Sequence, residues 1–140
     1  MAHTTRMLFA AVSLSLVLGA CGKKPDQGEM KVQSGEGLSL PTDFPGDVYL
    51  PSGYKVENVM KMGPLNSVVL GVSGQSQALS QDITSKMEAG GWKTALSMQS
   101  GERGAMLSFT RDKRTATYSL SPAQEDGRIT MSIQHTMENN

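Results

Sequence analysis

The side chains in this sequence whose types and spacing could do chemistry are few. The one cysteine, Cys21, stands at the end of an apolar run, and His135 is the one histidine after that run, because His3 precedes it. A serine nucleophile would need His135 as its base and a strained Gly-x-Ser-x-Gly turn to present the hydroxyl; that turn does not occur in the sequence. Met60 and Met62 put two thioethers on one side of a strand, a donor type that suits copper(I) in an oxidising compartment. The same residues fill gaps in an apolar strand face, and core packing is their expected use. Asp43 and Asp47 lack the alternating oxygen ligands and terminal glutamate of a calcium hand, so turn chemistry is expected of them. Arg103, Arg111, Lys113, Arg114 and Arg128 interleave with Glu102, Asp112, Glu125 and Asp126, which makes a set of self-compensating solvated turns the expected outcome over a basic rim for an envelope polymer. No catalytic residue, metal-ligand set or cofactor is expected, and the chain reads as a non-enzyme.

Cys21 is the exception, because its neighbours give it a specific chemistry. Positions 1–6 are polar with one fixed charge, Arg6, and positions 7–18 are mostly apolar, the order of an n-region and an h-region. The run falls short of the roughly 20 apolar residues that span a bilayer. Gly22, Lys23, Lys24 and Pro25 end it with charge and a helix breaker. Leu18, Gly19, Ala20 and Cys21 resemble the lipobox of bacterial lipoproteins. That resemblance, over residues 1–21, implies cleavage between Ala20 and Cys21, a diacylglyceryl group on the Cys21 sulfur and acylation of the new amino group. Two or three acyl chains, at about 0.8 kcal/mol per buried methylene, hold a protein on a membrane that it does not span. Gly22 stands where an aspartate would keep a lipoprotein of a diderm bacterium on the inner membrane. The expected address is therefore the outer membrane, facing the periplasm.

What remains must fold without sulfur chemistry. With Cys21 acylated there is no thiol for a disulfide or a thiolate site. The 13 basic and 13 acidic residues balance, and loss of Arg6 with the signal leaves the mature chain one basic residue short. No global field steers it to nucleic acid. Residues 21–40 are rich in glycine, serine and charge and lack apolar periodicity, so they read as a flexible linker with a reach of roughly 25 Å. Residues 41–140 form the single small domain, entered through a strap in which Pro41, Pro45 and Pro51 stiffen the backbone while Phe44, Val48, Tyr49 and Leu50 pin it down.

Within the domain, hydrophobic period assigns the elements. Tyr54, Val56, Met60 and Met62 share one face of a half-buried strand, and a Gly63-Pro64 turn leads to a more fully buried strand over residues 67–72. From Ser76, a candidate N-cap, the period changes to Leu79, Ile83 and Met87, an amphipathic helix that Gly90-Gly91 ends. Trp92 follows and is expected to close over the helix stripe, with a ligand platform as the alternative. Four short strands come next: Trp92, Thr94, Leu96 and Met98 share a face, then Ala105, Leu107 and Phe109, then Ala116, Tyr118 and Leu120, then Ile129, Met131 and Ile133. The connections are too short for parallel crossovers. The expected fold class is α+β: one antiparallel sheet in the order β-β-α-β-β-β-β with a single helix packed on one face.

This order, with Asp43-Phe44-Pro45 at the entry, Gly91-Trp92 after the helix and the 111–114 turn, is similar to small bacterial lipoproteins. It also resembles the helix-on-sheet domains of accessory lipoproteins in the outer-membrane β-barrel assembly machinery. The resemblance implies an envelope lipoprotein with a non-enzymatic interaction or structural domain. Its partner would be an envelope protein or polymer, met through a strand edge or the helix-free sheet face. The competing expectation is a small-ligand or copper-binding module, with a pocket near Trp92 or with Met60 and Met62 as ligands.

Overall fold

The computed structural model describes residues 30–136. Leu18 to Cys21, and with them the cleavage and lipid-attachment positions Ala20 and Cys21, lie outside the described residues. The elements in chain order are β1 (Lys31–Leu38), β2 (Lys55–Met62), β3 (Leu65–Ser73), α1 (Ser76–Ala89), β4 (Lys93–Gln99), β5 (Ala105–Arg111), β6 (Arg114–Leu120) and β7 (Arg128–Thr136). All seven strands join one antiparallel sheet in the order β1-β2-β3-β7-β6-β5-β4. With its single helix this is the α+β class that the apolar periods predict.

The sheet has one strand more than those periods predict. β1 falls inside the stretch read as linker, and its residues are exposed along nearly its whole length. An edge strand with both faces uncovered needs no apolar alternation, and backbone pairing with β2 alone defines it.

Tight turns close the local pairs. Gly63 (φ +57°) and Pro64 connect β2 to β3 across the Met62–Leu65 pair. Asp112 (φ +54°) and Lys113 connect β5 to β6 across the Arg111–Arg114 pair, aspartate being one of the few residues with a side chain that tolerates positive φ. β4 to β7 form the expected meander. The join that period alone does not give is β3 to β7, which pair over nine residues and make one sheet of two strand sets.

Two β-bulges correct the expected strand faces. One lies between Val56 and Asn58 in β2 and the other between Thr94 and Leu96 in β4. Each adds a residue, so each reverses which side the rest of the strand presents. In β2 the core takes Val56 and Val59, while Met60 and Met62 turn to the opposite face. In β4, Thr94 shares the core face with Phe109, while Leu96 and Met98 turn away from it. Met60 and Met62 are therefore not core fillers, and Leu96 and Met98 do not continue the Trp92 face.

One side of the sheet carries the core, built on Val68, Leu70, Phe109, Tyr118, Met131 and Ile133 among others. The ring edge of Phe109 meets Tyr118 at 5.8 Å between centroids, the edge-to-face geometry that aromatic quadrupoles favour. α1 covers the β4–β5 half of this face through Ser80, Ile83 and Met87, with Leu79 half-buried beside them. Ser76 starts the helix rather than capping it, because its hydroxyl donates to the Ser121 carbonyl at 3.0 Å; Gln75 occupies the cap position. The strap covers the rest of the core. It is not extended: the Phe44 and Val48 amides bond back to the carbonyls of Pro41 and Pro45, giving two turns that lower Phe44, Val48 and Tyr49 onto the sheet.

Candidate interaction surface

The polar residues singled out by type are used to fasten strap, helix and sheet together. Asp47, in the second strap turn, accepts from Arg111 Nη1 at 3.2 Å and Arg114 Nη1 at 3.0 Å, and also pairs with Arg114 Nη2. The Arg114 hydrogen bond holds the Asp47 carboxyl below the ordinary value of 3.8 against the opposing effect of burial. Trp92 is buried beneath this clasp. Its indole nitrogen donates to the Asp47 carbonyl at 2.9 Å, and the Arg114 guanidinium lies 5.0 Å from its ring centroid. Trp92 thus closes over the helix end, with no open ring face to serve as a ligand platform. Tyr49 donates to Asp82 on α1, a bond that pushes its phenol up to about 12. The Tyr118 hydroxyl donates to the Tyr49 carbonyl at 2.9 Å and touches Met87 Sδ at 3.2 Å; burial raises its pKa strongly.

Arg128, at the start of the central strand β7, stands apart from this clasp: it bonds Asp126 and faces Glu57. Asp43 pairs with Lys61, and that hydrogen bond lowers its carboxyl below 3.8.

His135 is only 2% exposed and lies beside Asn66, its partner across β3–β7, with the Phe44 ring edge-on at 5.1 Å. Burial lowers its pKa below 6.5, and Nδ1, like Asn66 Oδ1, has no hydrogen-bond partner. No serine hydroxyl bonds to His135 among the described contacts. Nor do three or more histidine, cysteine, aspartate or glutamate side chains converge among the described residues.

The surface left over by this packing is the face of the sheet opposite the core. Register places one unbroken row across all seven strands there: Val32, Met60 and Ser67, then Gln134, Thr117, Ser108 and Leu96. The next row reads Ser34, Asn58 and Val69, then Ser132, Ser119, Met106 and Met98. Neither row holds a charged residue. Ser108 and Thr117 hydrogen-bond each other at 3.1 Å, so the middle of the face is a band of short hydroxyls. Apolar residues flank that band on both sides. Among the described residues the exposed large apolar side chains are Met30, Val32, Met62, Leu96, Met98 and Met106, with Met98 at 59%. Five of them lie on this face by register, and Met30 directly precedes β1. Charged residues return at its margin, where Lys55 pairs with Gly71 and the Glu57 carboxylate covers that glycine beside Arg128, and at Lys93 on the far edge.

Periodicity missed this surface because the bulges moved four of its apolar residues across the sheet. A signal was present all the same: apart from Arg128 at the start of β7, the outward positions of three successive strands, among them Ser108, Thr110, Thr115, Thr117, Ser119, Thr130, Ser132 and Gln134, are uncharged. A solvent face of a soluble domain ordinarily carries about 25–35% charged residues.

Comparison of the chain with protein-family models, with curated proteins and with solved structures finds no match. No helix among the described residues is long and apolar enough to cross a membrane. The class defined by fold and surface is a two-layer α+β domain in which one sheet face is left uncovered by the described residues.

Proposed function

We propose that this chain is a lipid-anchored envelope lipoprotein, held through Cys21, whose domain is a non-enzymatic interaction module that docks through its helix-free face. The observation that carries the docking part is the uncharged double row with its exposed methionine and leucine flanks. An interface core is marked by loss of charge and gain of methionine relative to the rest of a surface, with a polar margin. Contiguous apolar exposure on one face signals a contact surface more than a solvated one. The other polar clusters do not compete for this role, since Asp47, Arg111, Arg114, Tyr49 and Asp82 are engaged with one another. The anchoring part is supported by the lipobox resemblance and by the signal-like residues before it. The address proposed is the outer membrane, facing the periplasm.

Two measurements test the two halves separately. In cells fed a labelled fatty acid, the wild-type chain is expected to carry label in the membrane fraction. Cys21→Ser is expected to lose the label and keep its leader; a C21S chain of mature size still on the membrane refutes the anchor. For the domain, a photocrosslinking residue placed at Ser132 or Met98 in the anchored chain is expected to give a protein adduct, and one at Gln81 on the exposed side of α1 is not. Absence of any adduct from the sheet face, self or foreign, refutes docking there.

A further inference from the structure

We propose that the occupant of the helix-free face is a second copy of this chain, packed sheet against sheet about a two-fold axis. This rests on the reading of that face as the docking surface and names what docks.

The face carries exposed apolar residues on both sides of a mostly hydroxyl midline. β7 is the middle strand of the seven, with three strands on either side, and Ser132 is the middle residue of β7. The hydroxyl band lies on β7 and its neighbours. One apolar flank lies on β1 and β2, through Val32, Met60 and Met62; the other lies on β4 and β5, through Leu96, Met98 and Met106. A two-fold axis in the plane of the interface and along β7 lays β1–β2 of one copy over β4–β5 of the other. An axis across the strands lays each flank over its own counterpart. The axis along β7 sets Val32 over Leu96 and Ser67 over Thr117 but Met60 over Ser108 and Asn58 over Met106. The axis across the strands at Ser132 sets Met98, Met106, Val69, Ser119 and Ser132 each over its own counterpart, so this second arrangement is the self-complementary one, as an isologous interface requires.

Charge narrows the occupant further. A neutral face gains nothing from an acidic or basic polymer, and a second copy is neutral by construction. Sugar polymers are held largely by aromatic platforms, and Phe44, Tyr49, Tyr54, Trp92, Phe109 and Tyr118 all pack in or against the core on the other side. A bilayer does not fit apolar flanks that a hydroxyl band separates.

The size also suits. Seven strands about 4.8 Å apart span about 29 Å, and three residue pairs along them add about 20 Å, a flat footprint near 600 Å² before side-chain relief is counted. Stable specific interfaces bury about 800 Å² per partner, so the face is of the right order. Aligned sheets pack about 10 Å apart, which would bury both hydroxyl bands and leave α1 and the strap on the outside of a four-layer assembly. Lys55, Glu57, Arg128 and Lys93 would form its charged margin.

The test uses the purified full chain in mild detergent, followed by sedimentation velocity, with Ser132→Lys and Ser132→Asp made singly. Ser132 sits next to the axis in either arrangement, so like charges meet at the centre of the interface. The wild type is expected to sediment as a dimer. Each variant is expected to raise the dissociation constant at least about a hundredfold, and an equimolar mixture of the two to restore the dimer. Trp92 fluorescence confirms that the variants fold, and Gln81→Lys on α1 leaves the dimer intact. A wild-type chain that stays monomeric at micromolar concentrations overturns the proposal. If the Ser132 photocrosslinker then captures a different envelope protein, self-pairing falls while docking through this face stands. Dimers that persist in both Ser132 variants, or a mixture that stays monomeric, also overturn it.

Discussion

Replacing Asp47 with Asn removes one charge from the clasp that holds the strap. The carboxylate receives hydrogen bonds from two guanidinium groups, Arg111 and Arg114. A hydrogen bond to a charged group contributes about 1.5–3 kcal/mol when buried, and an exposed ion pair about 0–1 kcal/mol. The Asp47 side chain is 31% exposed, so the larger figure must be discounted. Asn retains one acceptor oxygen, which leaves an expected loss of about 1–2 kcal/mol at pH 7 for the whole set. For a domain of this size that is a melting-temperature drop of about 5–10 °C.

The pH dependence is the sharper part. Asp47 has its folded pKa depressed below 3.8, so its contribution is complete above the unfolded value and is lost as pH falls through the folded one. The wild type and Asp47→Asn should differ fully at pH 7 and begin to converge as pH falls below 3.8, the difference closing only below the depressed folded value, where the wild-type carboxyl becomes as neutral as the amide. Asp43 and Asp126 titrate in the same range but are common to both chains, so they cancel in the difference. Trp92 reports the transition directly, since it is the only tryptophan and its indole is bonded to Asp47. A difference that persists undiminished at pH 3, or none at pH 7, would show that the clasp does not hold the strap.

Further outcomes follow from the buried groups and the tight backbone contacts. His135 has its folded pKa below 6.5, so the unfolded chain binds its proton first; wild-type stability should fall by up to about 1.4 kcal/mol per pH unit on acidification below 6.5. His135→Leu should flatten that slope in denaturant titrations between pH 7 and 5. Tyr118→Phe strands the Tyr49 carbonyl and should cost about 1–2 kcal/mol at pH 7. Because the Tyr118 pKa is raised in the folded state, the wild type alone pays to keep that phenol neutral above pH 10, and the two melting curves should draw together there. Gly104→Ala puts a Cβ 2.3 Å from the Leu120 carbonyl oxygen at φ +120°, so a loss above about 2 kcal/mol is expected by thermal melt. Gly71→Ala meets only the movable end of Glu57 at 2.5 Å and should cost less than about 1 kcal/mol.

Most strands were legible because each buries one face, and a half-buried strand writes its period into the chain. Ala116, Tyr118 and Leu120 or Ile129, Met131 and Ile133 need nothing else to be read. The register of β2 and β4 was not legible beyond Val56 and Thr94, since a bulge leaves no mark in composition while it inverts every later side chain. β1 was not legible because backbone pairing alone defines it. The helix was placed by Ile83 and Met87, yet its buried serines, Ser76 and Ser80, look like solvent positions until the carbonyls of Ser121 and Gln77 appear beside their hydroxyls. The candidate surface inherited the same blind spot: four of its methionines and leucines carry the wrong parity, and only its missing charges were visible in advance.

The central place of β7 has a consequence in time. Among the described strands it comes last in the chain, and it must enter between β3 and β6, closing pairs such as Leu65 with Thr136. Without it nothing pairs β3 to β6, and each would offer an unpaired inner edge. Contacts this distant in sequence close slowly. The seven-stranded sheet therefore cannot close before β7 has been made. A chain cut short before Arg128 would keep the sequences of six strands and lose the one that joins their two sets.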